Sequence, residues 1–276
     1  MALIVKRQSG QAALVILAIM AIGMTMALSL SKRVVTDIKM SEQEQKSAKA
    51  FSAAEAGIEE ALRKLRAGEE GSPQIAPGEF GVSDLDVNVQ TSGGADQFAY
   101  PVTLQSGQTA IVWFCDHNED TGEFTEDNCY AQPSINFCWQ DGAAVEIVYF
   151  YNNGGAYQIK RFAYDPNAVR RTNDNHFSAP DLGPCVSLNV GATLDLTVGV
   201  PLFLAVRPFY QNSQFAVETI GGATLPVQGH TVTSSGAVVS GEEEKITRKV
   251  KVFRTWPIPP DSFFQSIFSA NSVSGG

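Results

Sequence analysis

The stretch CDHNEDTGEFTEDNC, residues 115–129, packs acidic and amide side chains between two cysteines. Asp116, Asn118 and Asp120 alternate, so a tight loop turns three oxygen donors inward, and Glu126 or Asp127 follows at a distance that closes a shell. Hard oxygen donors at such spacing suit calcium. The order departs from an EF-hand loop, because Thr121 stands where the turn glycine belongs and Gly122 comes one residue late. Asp116, Asn118, Asp120 and Asp127 are therefore a candidate calcium set, weighed against a plain acidic loop clipped by a disulfide; no other cofactor is expected. His117, His176 and His230 are far apart, and none sits in an H-E-x-x-H pattern, so each is expected to be a surface or hydrogen-bonded residue. There is no G-x-S-x-G stretch, and the glycine pairs at 93–94, 154–155 and 221–222 fall in turn contexts without phosphate-loop spacing. Nothing here makes a case for catalysis, and the chain is not expected to be an enzyme.

Net charge is −9 over 276 residues, which opposes bulk binding of a polyanion while leaving room for a local basic patch. All four cysteines, Cys115, Cys129, Cys138 and Cys185, follow residue 114. An even number confined to one region points to disulfides in an oxidising compartment. Three pairings are open; the one favoured joins Cys115 to Cys129, closing a short loop, and Cys138 to Cys185.

The elements that must position these residues begin with residues 6–33, KRQSGQAALVILAIMAIGMTMALSLSKR. Residues 11–30 carry no charge and no polar face, which suits lipid or a packed helical bundle. A secretory signal fits poorly, since MALSLSKR is a weak cleavage site and the apolar run is long. Cations flank the run on both sides (Lys6, Arg7; Lys32, Arg33), so charge bias alone does not orient it. Helix propensity then stays high through Arg66, and one helix from Ala12 to Arg66 would be roughly 80 Å long. Phe51, Ala54, Ile58, Ala61, Leu62 and Leu65 recur at three- and four-residue steps, an apolar stripe expected to pack on a globular domain. RAGEEGSP supplies the stop, with Gly68, Gly71 and Pro73.

This two-part helix, the short basic leader ending in Gly10 and the string AFSAAEAGIEEAL together resemble the type IV pilin-like superfamily, specifically its PilX-type minor pilins. The resemblance covers about residues 1–66. It implies that a prepilin peptidase at the cytoplasmic face cuts between Gly10 and Gln11, with Ser9-Gly10 as an extended small-residue site, and methylates the new N-terminus. It also implies that Leu14, Val15, Leu17 and Ile22 pack against neighbouring subunits. Major pilins usually carry glutamate at the fifth mature position; here Val15 stands there. That avoids a buried carboxylate without a partner and favours a minor component at a filament end or in an initiation complex.

Residues 76–276 turn β-rich, with strands expected at 84–90, 108–115, 144–151, 157–164, 185–190, 201–209, 214–220 and 245–253. NNGGA reads as a hairpin loop between the third and fourth. In 242–254, Lys249 and Lys251 share one face of a strand while Arg248, Val250 and Val252 share the other. This is an edge strand protected by charge, or a strip for DNA or anionic glycans. Trp256, Phe263, Phe264, Ile267 and Phe268 are expected to seal the core or pack on the helix.

The expected fold is α+β: a leader at 1–10, an apolar half-helix at 11–31, an amphipathic half at 32–67, a linker at 68–82 and a β-rich head with antiparallel sheet at 83–276. The expected role is a minor pilin or pseudopilin of a type IV pilus or related type II secretion filament. Its partners would be other pilin subunits, the prepilin peptidase, the inner-membrane assembly platform and the membrane. It would cross the cytoplasmic membrane once with its head outside, and reach a pilus or the cell surface after assembly. Its rivals are a membrane-anchored binding protein without a filament and an anchored hydrolase.

Overall fold

The computed structural model describes residues 9–69, 71–118, 121–140, 142–240 and 244–258. One helix, α1 (Ser9–Arg66), runs unbroken for 58 residues, roughly 85 Å, and precedes eleven described strands. Three residues earlier than expected, it takes in Ser9 and Gly10, which are helical rather than extended. It ends where Gly68 and Gly71 adopt positive φ, the left-handed conformation that costs glycine least.

The strands are β1 (Asp84–Gly93), β2 (Gln97–Ala99), β3 (Ala110–Trp113), β4 (Ser134–Trp139), β5 (Ala144–Asn153) and β6 (Ala156–Tyr164). They continue with β7 (Val190–Asp195), β8 (Val200–Phe209), β9 (Phe215–Thr219), β10 (Val227–Ser240) and β11 (Glu244–Thr255). They form sheets ordered β1-β10-β11, β2-β9-β4-β7 and β3-β8-β5-β6. Alternate residues of the two four-stranded sheets meet in one core: Phe137, Trp139, Leu194, Phe215 and Val217 from one, Val112, Val145, Ile147, Tyr149 and Leu204 from the other. The opposite face of the β3-β8-β5-β6 sheet is also covered, with Ile111, Trp113, Val148 and Ala205 packing with Trp256. Both faces being buried explains why AIVW and IVYFY read as continuous apolar runs. The expected hairpin forms with Gly154 and Gly155 alone between β5 and β6, both at positive φ.

The chain divides into two compact units: Met1–Ala56, Ile75–Asp86 and Ser235–Lys249 in one; Gly57–Gln74, Val87–Ser234 and Val250–Gly276 in the other. In the first, Ala50 and Ala53 face Gly236, where an added Cβ would collide with the Ala50 carbonyl oxygen. Arg248 Nε donates to Ser47 Oγ at 2.8 Å, and Lys245 pairs with Asp84 at 3.1 Å. In the second, an added Cβ on Gly57 would strike Ser234 Oγ and lie 2.8 Å from Val87 Cγ2. The buried positions of α1 are Ala50, Ala53, Ala54, Gly57, Ile58 and Ala61, a helical period made almost entirely of small residues. Phe51, expected in this seam, is instead exposed, and Leu62 and Leu65 are half-buried. The period was legible; its phase was not, because weight given to large apolar side chains pulled it one position toward Phe51.

Residues 185–190 are not a strand: Cys185 and Leu188 bridge across a tight turn with Val186 and Ser187 at positive φ, and strand structure starts at Val190. Lys249 and Lys251 are exposed on β11, an edge of its sheet, which fits the charge-protected edge. Trp256 is buried, its Nε1 donating to the Val227 carbonyl at 2.8 Å. Phe263, Phe264, Ile267 and Phe268 lie outside the described residues, as do residues 1–8 of the leader.

Candidate functional site

Among the described residues, the first half of α1 is a long apolar surface open to a partner. Leu14, Val15, Leu17 and Ile22 are 56–71% exposed, and every described side chain from Ala13 to Gln45 is exposed. Monomeric soluble proteins rarely leave so long a run of Leu, Ile, Val and Met in water. The helix is long and apolar enough to cross a membrane. Two of its hydroxyls turn onto the backbone: Thr25 Oγ1 donates to the Ile22 carbonyl at 2.8 Å and Thr36 Oγ1 to the Lys32 carbonyl at 2.9 Å. The backbone satisfies their donors, so they add no demand for water in a lipid or protein surrounding.

The loop after β3 is held by the first of two disulfides. Cys115 joins Cys129 and Cys138 joins Cys185, the favoured pairing. Inside the loop, Asp116 Oδ2 accepts from Asn128 Nδ2 at 2.9 Å, and Asn118 Oδ1 accepts from the Thr121 amide at 2.9 Å. Asp127 is exposed and contributes its carbonyl to the Asp116 amide at 3.1 Å. Glu126 turns to the β5–β6 hairpin, accepting from Asn152 and Tyr157 at 2.7 Å each, and these two bonds hold its carboxyl below its ordinary range. Asp120 lies outside the described residues. Among the described residues no three His, Cys, Asp or Glu side chains gather as metal ligands would.

His117 corrects an expectation. It is buried, not at the surface, and among the described residues neither ring nitrogen makes a hydrogen bond of ordinary geometry. Its ring stacks on Trp256 (4.9 Å, 5°) and meets Trp113 edge-on at 4.4 Å and Phe124 at 5.3 Å. Burial lowers its pKa to about 4; the Asp116 carboxylate and the Cys115 carbonyl pull the other way and are outweighed. The folded value is depressed below the unfolded one of about 6.5, so stability is full above that pH and declines as pH falls toward 4. Between pH 7 and 4.5 the native chain should lose about 2 kcal/mol more than His117→Phe. Denaturant unfolding of the two at both pH values measures it; parallel losses would mean the imidazole titrates normally.

A buried charge was missed entirely. Asp165 has no exposed side-chain surface, and Arg170 grips it with two bonds, Nε to Oδ2 at 2.8 Å and Nη2 to Oδ1 at 2.6 Å. The Asn167 amide (2.8 Å) and Asn175 Nδ2 (2.7 Å) complete its shell. The signal was present in DPNAVR, where Asn167 caps a helical turn by accepting from the Val169 and Arg170 amides. No functional role follows from it; it anchors the irregular stretch after β6.

A cleft of about 710 Å³ opens in the second unit beside the end of α1, lined by Arg66, Gly68, Glu69, Thr91, Thr121, Arg254 and Trp256 among others. Arg66 and Arg254 are far apart in sequence, and no spacing rule brings them together. Compared with protein-family models, with curated proteins and with solved structures, the chain finds no match.

Proposed function

We propose that the protein is a minor pilin or pseudopilin, a structural subunit of a type IV pilus or related secretion filament whose work is assembly rather than turnover. One observation carries the reading. The first half of α1 is apolar and exposed on every side, and the same helix continues, without proline or break, into a half with a buried small-residue seam. Such a helix keeps its first half out of water in either of two surroundings, lipid before assembly and neighbouring helices afterwards. The two disulfides suit a head outside the cytoplasm. In this reading Leu14, Val15, Leu17 and Ile22 are packing residues, and residues 1–10 are removed after Gly10. Partner subunits, peptidase and assembly platform are parts of the same proposal.

Mass mapping of the N-terminus of the protein purified from native membranes tests it. The expected mature chain begins at N-methylated Gln11, and Gly10→Val should leave the leader in place. A native chain that keeps residues 1–10 would overturn the filament reading in favour of an anchored binding protein.

A further inference from the structure

We infer that the cleft beside the end of α1 binds a phosphate-class oxyanion between Arg66 and Arg254. Both arginines line it, and among the described residues neither has a carboxylate partner. The acid that also lines the cleft, Glu69, reaches toward Lys64 at 3.9 Å. Arg254 is half-buried, and burial together with the Arg66 charge lowers its pKa, so the pair stands in a state that a bound anion would relieve. The last turn of α1 contributes only about half a negative charge against two cations.

The ligand class follows from geometry and chemistry. A carboxylate offers two oxygens in one plane and is satisfied by one guanidinium fork, whereas a tetrahedral phosphate offers faces to two forks at once. Thr91 and Thr121 line the same cleft and bring hydroxyl donors for remaining oxygens. Trp256 forms part of the wall and is fixed in place by its bond to Val227 and its stack on His117. The protein is acidic overall, so a site of two cations suits one small phosphate group better than a polyanion. The inference does not depend on the filament reading, because all lining residues belong to one unit of the head and the end of α1.

The test uses the full chain in neutral detergent micelles, titrated by calorimetry with inorganic phosphate and, separately, with glycerophosphoglycerol, the soluble diester of a lipid headgroup. Saturable phosphate binding at or below about 1 mM is expected, weakened about tenfold by Arg254→Gln and by Arg66→Gln. Arg254→Lys should retain part of the affinity, which guards against a folding defect, and near-ultraviolet circular dichroism should match the parent throughout. Binding of inorganic phosphate alone identifies free phosphate as the ligand; equal or tighter binding of the diester identifies a headgroup. No saturable binding of either below about 10 mM, or binding indifferent to both glutamine variants, overturns the inference.

Discussion

Asp165→Ala should cost the head on the order of 3–5 kcal/mol, the largest effect expected of any single substitution here. Removing the carboxylate strands Arg170, whose side chain is only 17% exposed, leaves the Asn167 amide without its acceptor and leaves Asn175 with only the longer bond to the Tyr210 hydroxyl. Arg170 retains the Gly142 carbonyl at 3.0 Å and its place over the Tyr210 ring at 4.6 Å, neither of which neutralises it. Burial alone would raise the Asp165 carboxyl pKa, but Arg170, the Asn167 amide and Asn175 outweigh it and hold the value below the ordinary range. A depressed carboxyl pKa gives stability that is full above about pH 3.9 and is lost as pH falls through the folded value. The gap between parent and Asp165→Ala should therefore be wide at pH 7 and narrow in strong acid. Denaturant unfolding of the full chain in micelles, followed by tryptophan fluorescence, measures both; a loss below about 1 kcal/mol at pH 7 would show that the shell is not needed.

Replacing Cys138 and Cys185 together with alanine should cost about 4 kcal/mol, and the same change at Cys115 and Cys129 about 3 kcal/mol. The difference comes from the unfolded chain, since the first bridge spans 47 residues and the second 14. Cys138 and Cys115 are both wholly buried, so each double truncation leaves a similar small void and loop length sets the ranking. Thermal unfolding of the two double variants should rank in that order. A reversed ranking would show that native packing around Cys115, not loop length, dominates.

How far the residues alone reached depends on the range of the interactions involved. α1 was legible because helix propensity and period are local: its end at Arg66 was read correctly and its start missed by three residues. The β5–β6 hairpin was legible because two glycines mark a two-residue turn. β4 (SINFCW) and β7 (VGATLD) were not, since each is short and takes its order from partners distant in the chain: Cys138 lies opposite Gly191 on one side and Ala216 on the other. β10 was hidden for another reason. VQGHTVTSSGAVVS reads as loop, yet its small residues match the seam of α1, where Gly236 faces Ala50 and Ser234 faces Gly57. For the sites, the Cys115–Cys129 loop could be seen because its residues are contiguous. Arg66 with Arg254, and His117 with Trp256, could not, because only the fold brings them together.

The Cys138–Cys185 bridge ties β4 to the irregular stretch that follows β6. A protease that nicks the backbone anywhere from residue 139 to 184 leaves both fragments covalently joined, and the sheets on either side of the cut still share one core. Clipped molecules would run at full mass on a gel until reductant is added. Wherever thiols stay oxidised, that cross-link turns a broken chain into a tolerable injury.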